Sequence, residues 1–124
     1  MPINAPTEAQ EQRDLFRWAA YQRGIYPELQ LMYHIPNEGK RTVYGGARMK
    51  AEGLRPGVPD ICLPVARGPY HALYIEMKRT KKGRVSEAQQ GWIAALTRAG
   101  NRAVVCYGWE AAREEIMDYL RMGA

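Results

Sequence analysis

Cysteine is scarce in this 124-residue chain, acidic residues are outnumbered, and no long apolar run occurs. Each shortage excludes something. Every apolar run falls well short of the roughly 20 residues that a membrane-spanning helix needs, so no membrane partner is expected. The start, Met1-Pro2-Ile3-Asn4, has neither the basic cluster nor the apolar stretch of a signal peptide. The two cysteines, Cys62 and Cys106, sit in separate apolar, strand-like runs. Small buried hydrophobes are the ordinary role of such thiols, which points to a reducing, intracellular and cytoplasmic setting. Repeats, linkers and low-complexity tracts are also missing. Residues 1–124 are therefore expected to form one domain around a single core.

The acid deficit leaves a net charge of +5, which favours a polyanionic partner. Its distribution says more than its size. Lys78, Arg79, Lys81, Lys82 and Arg84 fall within seven residues, and Lys40, Arg41, Arg48, Lys50 and Arg55 form a second group. Together they bracket the stretch from Asp60 to Lys78.

That stretch is where the alternation is clearest. In Tyr70–Arg79, Leu73, Ile75 and Met77 point one way and Tyr74, Glu76 and Lys78 the other, as in a half-buried strand. Upstream, Gly57-Val58-Pro59-Asp60-Ile61-Cys62-Leu63 is a short apolar run entered through Pro-Asp. Val65-Ala66-Arg67-Gly68-Pro69 between them carries turn chemistry, so the two runs read as a hairpin. A hairpin brings Asp60 beside Glu76 and Lys78. A Glu-x-Lys strand alone is usually a solvated ion pair. Two carboxylates and a lysine converging in one cleft form a divalent-metal site with a basic group attached.

The flanking elements follow from capping and periodicity. Thr7 and Gln10 form a capping box for a helix running to about Arg23, with Leu15, Phe16, Ala19 and Ala20 as its apolar stripe. Of the acidic residues in its first turns, Glu8 and Glu11, one complements the helix dipole and the other can point into the site. Tyr26-Pro27-Glu28 reads as a turn and Leu29 to Ile35 as a strand. His34 there is either a metal ligand or an ordinary core or surface residue. Arg41 to Gly53 reads as a helix weakened by Gly45-Gly46. Ser86 and Gln89 cap a further helix whose buried face would be Trp92, Ile93, Leu96 and Ala99, with Gln89 able to face inward. Arg102 to Tyr107 reads as a buried strand. A last helix opens at Gly108-Trp109, packing through Ala112, Ile116, Tyr119 and Leu120.

This arrangement resembles the PD-(D/E)xK nuclease superfamily and, within it, the VRR-NUC (virus-type replication-repair nuclease) family. The residues carrying the likeness are Pro59-Asp60, then after fifteen intervening residues Glu76-Met77-Lys78, Ser86-Glu87-Ala88-Gln89 with Trp92, Glu8 to Trp18, and His34-Ile35-Pro36-Asn37. The resemblance covers about residues 7 to 121. It implies an α/β fold with an αβββαβ core, a central mixed sheet flanked by helices, as in restriction endonucleases. It also implies metal-dependent phosphodiester cleavage by a stand-alone protein of the phage or bacterial kind.

The chemistry agrees with that implication. A phosphodiester is anionic, so Mg²⁺ or Mn²⁺, a hard cation with oxygen ligands, suits its hydrolysis. Asp60 and Glu76 would be ligands with the Met77 backbone carbonyl, and Glu11, or else Glu8, would be the N-terminal acid. Lys78 would orient or deprotonate the attacking water, or offset charge, and Gln89 would hold Lys78 or the phosphate. Lys40, Arg41, Arg79, Lys81, Lys82 and Arg84 would meet DNA phosphates. The likeness to junction resolvases implies branched or four-way DNA and a homodimer, with no small-molecule cofactor. A non-catalytic nucleic-acid-binding module is the alternative, though such a module has no need of acids facing phosphates.

Overall fold

The computed structural model describes residues 5–36, 50–80 and 83–124. Among them four strands form one mixed sheet: β1 (Tyr33–His34), β2 (Ile61–Leu63), β3 (Leu73–Lys78) and β4 (Arg102–Tyr107), in that spatial order. β1/β2 and β2/β3 are antiparallel and β3/β4 parallel. Among the described residues the sheet is flanked by α1 (Glu8–Gln22), α2 (Glu87–Arg98) and α3 (Trp109–Arg121). The β2–β3 hairpin is present, with Ile61 opposite Ile75 and Leu63 opposite Leu73.

One face of the sheet holds the core. Ile61, Leu63, Leu73, Ile75, Met77 and Cys106 pack there against Leu15 and Ala19 of α1 and Ala112, Ile116, Tyr119 and Leu120 of α3. Both capping boxes form. Thr7 Oγ1 accepts from the Gln10 amide at 3.1 Å and Ser86 Oγ from the Gln89 amide at 3.1 Å, satisfying donors a helix start otherwise leaves open. Cys62 and Cys106 are buried free thiols, as expected. No helix among the described residues is long and apolar enough to cross a membrane.

Several expectations need correction. The run Leu29 to Ile35 is not one strand: Pro27–Leu31 is a 3-10 turn, and only Tyr33–His34 pairs with β2. Proline at its first position presets a helical φ, and an apolar run this short carries no period to oppose it. The strand after the hairpin turn begins at Leu73 rather than Tyr70, because Arg67 and Tyr70 pair with each other in the loop. β4 is not a buried strand; it lies at the sheet edge and only Cys106 is buried. α2 has no fully buried residue: Trp92, Ile93 and Leu96 are half-buried and Ala99 is exposed. Ala20 is likewise exposed, since the buried line of α1 runs through Glu11, Leu15 and Ala19. The proposed helix from Arg41 lies mostly outside the described residues, whose nearest part, 50–51, is helical.

Candidate active site

The face of the sheet opposite the core carries the charged groups. Cross-strand neighbours share a face, so Tyr33, Cys62 and Tyr74 form one row. One step along, the Ile35 amide donates to the Asp60 carbonyl at 2.6 Å, and Glu76 lies opposite Val105. The hairpin register places Asp60 across from Glu76, immediately beyond the Ile61–Ile75 pair. Asp60 Oδ2 accepts the Met77 amide at 2.7 Å, so the acid is fixed to the strand that bears its partner. Pro59, fully buried, anchors the entry to β2.

Alternation predicts a solvated polar face for Glu76 and Lys78, and here the structure differs. Glu76 is only 1% exposed and Lys78 only 5%. Part of the cover comes from the loop after β3, where a Cβ at Gly83 would stand 2.8 Å from Lys78 Cβ. Lys78 Nζ lies 3.6 Å from Glu76 Oε2. Gln89 Nε2 donates to that same oxygen at 2.9 Å, while its Oε1 accepts the Ser86 amide at 2.9 Å. The capping box therefore orients the amide: with its oxygen taken by the helix start, its NH₂ turns to Glu76. Glu76 Oε1 is buried and receives no hydrogen bond from the described residues.

Such a carboxylate cannot stay ionised cheaply. Burial is the largest influence, and together with the charge and hydrogen-bonding demand of Asp60 it pushes Glu76 up to about 8. Lys78 opposes the shift, and the charge of Glu8 adds to it. Glu8 is exposed yet felt at the site. Glu11 has a different engagement: it is 3% exposed and its Oε1 accepts the Trp109 amide, the first of α3, at 3.0 Å. A carboxylate at a helix N-terminus satisfies an open donor and complements the dipole. Gly108, just before α3, has φ 91°, and a Cβ there would stand 2.7 Å from Thr80 Cγ2, so the backbone conformation and Thr80 together call for glycine.

Among the described residues no group of three or more histidine, cysteine, aspartate or glutamate side chains is gathered tightly enough to hold an ion. His34 is exposed, and its Nδ1 lies 2.9 Å from the Asp60 carbonyl, so it braces the backbone at the acid. Arg79 is half-buried and Arg84 exposed, whereas Lys40, Arg41, Lys81 and Lys82 lie outside the described residues.

Sequence reasoning missed how the segment before Asp60 is held. Trp92 Nε1 donates to the Pro56 carbonyl at 3.0 Å. Gly57 has φ 88°, and a Cβ there would stand 2.6 Å from the Ala88 carbonyl carbon. Only glycine permits both the conformation and the approach. The Gly57-x-Pro59-Asp60 spacing was the available signal. Through these contacts α2 grips the chain three residues before one acid and, through Gln89, the other acid directly.

A family model described as "VRR-NUC domain" matches residues 6–110. A solved structure titled "VRR_NUC domain protein" superposes with a TM-score of 0.84 at 28% identity, covering 98% of this chain and 93% of the other. No curated protein matches.

Proposed function

The chain belongs to the VRR-NUC family, nucleases with the restriction-endonuclease-like fold, and from that premise we propose that it is a Mg²⁺- or Mn²⁺-dependent DNA endonuclease. The observation that carries the metal is Glu76 Oε1, a buried carboxylate oxygen with no donor among the described residues, beside a second carboxylate on Asp60. A buried acceptor left open is costly, and two acids side by side repel until a cation joins them. The donor set fits a hard, mostly hydrated ion. Two carboxylates and a backbone carbonyl, that of Met77, suit Mg²⁺, which keeps several waters and is rarely enclosed by protein alone. When bound, such an ion would neutralise phosphate charge and lower the pKa of coordinated water.

The chain's own residues have separable tasks. Asp60 and Glu76 hold the cation, and Glu8 is a better N-terminal acid than Glu11, whose carboxylate is occupied by α3. Lys78, held at 3.6 Å from Glu76, brings a buried positive charge to the oxygens that gain negative charge as water attacks phosphorus and the bond to the 3′-oxygen breaks. Gln89 fixes the Glu76 carboxylate in place for both. Arg79 and Arg84, with Lys40, Arg41, Lys81 and Lys82, would meet the phosphate backbone.

Branched DNA, four-way junctions in particular, is the proposed substrate, cut by a two-fold dimer. The test is a cleavage assay of the purified protein on linear, flapped and four-way DNA with EDTA, Mg²⁺ or Mn²⁺. Cleavage of branched DNA only with metal is expected; equal cutting in EDTA would remove the metal from the reading. Binding without any cleavage would leave a nucleic-acid-binding module.

A further inference from the structure

Beside the acidic pair lies a cavity of about 310 Å³, lined mainly by Ile35, Pro36, Leu54, Arg55, Val58 and Trp92. Its walls are tied to the site from three directions. Ile35 adjoins Asp60 across the β1–β2 edge through the 2.6 Å amide–carbonyl bond. Val58 stands two residues before Asp60, and Trp92 follows Gln89 by about one helical turn. The one polar atom of the Trp92 indole is engaged by the Pro56 carbonyl, so the ring offers only apolar surface to the space. The wall is rigid where it meets α2, because Gly57 sits against Ala88 with no room for a side chain. Among the described lining residues the one cation is Arg55, which is exposed; its guanidinium donates to the neighbouring Leu54 carbonyl at 3.3 Å.

An apolar slot with an aromatic ring and one rim cation suits a flat heterocycle joined to an anion. We propose that this cavity takes one unstacked nucleobase of the DNA strand, from the nucleotide next to the phosphate being cut, with Arg55 meeting a phosphate at the mouth. The proposal rests on the nuclease reading and adds a requirement to it. The nucleotide beside the cut must leave its stack, which costs least at an unpaired or branch-point base. Selection of DNA structure then arises at the site itself rather than only from the basic segments.

The test places a single abasic nucleotide in turn at each position around the mapped cut, in an otherwise constant branched oligonucleotide. Cleavage is followed in Mg²⁺, and binding by fluorescence anisotropy in Ca²⁺. One position should stand out, with binding and cleavage reduced roughly 5- to 150-fold, the range that loss of one base–aromatic contact produces. Leu54→Trp, which fills the cavity from its half-buried edge, should erase that dependence while thermal stability stays near wild type. Equal cleavage at every abasic position would overturn the proposal and leave the nuclease reading intact. If no DNA is cut at all, the nuclease reading fails separately. The cavity is then decided by NMR titration with deoxynucleoside monophosphates: a shift of the Trp92 indole N–H that Leu54→Trp abolishes supports it, and no shift overturns it.

Discussion

Replacing Glu76 by glutamine should stabilise the metal-free protein, and only above mildly acidic pH. Glu76 titrates at about 8 in the folded chain against an ordinary value of 4.5. Between those values the folded state holds a proton that the unfolded state has released, so wild-type stability falls as pH rises through that window and stays reduced above it. At 1.36 kcal/mol per pH unit the full shift corresponds to a ceiling of about 5 kcal/mol. Glutamine removes the titration while keeping the geometry. Its carbonyl can still accept from Gln89 Nε2, and its NH₂ offers Asp60 a donor besides the Met77 amide. Lys78 then loses the partner 3.6 Å away, which takes back part of the gain. The net effect should be about 2 to 4 kcal/mol at pH 8–9, or roughly 6 to 16 °C in Tm, shrinking towards zero near pH 4.5. Thermal unfolding in EDTA from pH 4.5 to 9, followed by circular dichroism for both proteins, measures it. A second arm with millimolar Mg²⁺ should raise Tm for wild type and not for the variant, by mass action on the folded state. Parallel Tm curves across the whole pH range would refute the reasoning, because Glu76 would then be titrating as an ordinary solvated carboxyl.

Four further outcomes follow from the same geometry. Lys78→Ala should abolish cleavage while metal affinity, read by calorimetry, is unchanged or slightly higher, since a cation near the acids is gone; near wild-type cleavage would reduce the lysine to an ion-pair partner. Glu11→Ala should lower stability by about 1 to 2 kcal/mol through loss of the α3 cap, whereas Glu8→Ala should lower cleavage with Tm unmoved, and the reverse pattern would exchange their roles. Lys81→Ala with Lys82→Ala should weaken binding to all DNA sequences alike and flatten its salt dependence; a loss confined to one sequence would show base contact instead. Gly57→Ala meets both a positive φ and the Ala88 backbone, so Tm and cleavage should fall together, and a neutral result would mean that α2 does not set the position of Asp60.

How much of this was legible in the sequence depends on the range of the interaction concerned. Thr7/Gln10 and Ser86/Gln89 announce helix starts because a capping box is closed within four residues, and both formed. The hairpin was legible because period-two alternation and a turn between two runs leave few other pairings. Burial of Glu76 and Lys78 was not, since it depends on other parts of the chain meeting the strand, Gly83 against Lys78 and Gln89 of α2 against Glu76. The distinction between Glu8 and Glu11 was also hidden. Nothing local marks Glu11 as the cap of a helix that begins 98 residues later. Leu29 to Leu31 reads as the start of a strand from hydrophobicity alone, but it completes the 3-10 turn set by Pro27 and by Leu29 turning into the core.

The bond between Glu11 and Trp109 also has a kinetic meaning. It joins groups 98 residues apart, so the chain must pay most of its loop-closure entropy before that contact returns anything. Contacts of such separation slow folding and form after local ones. The β2–β3 hairpin can pair early, bringing Asp60 and Glu76 together while Glu11 still lacks its Trp109 donor. α1 can dock fully only once the chain has been synthesised through Trp109 and α3 has begun. Glu8 travels with α1. That helix therefore docks late on the ribosome or during refolding, and a chain cut short before residue 109 would present the acidic pair without a docked α1.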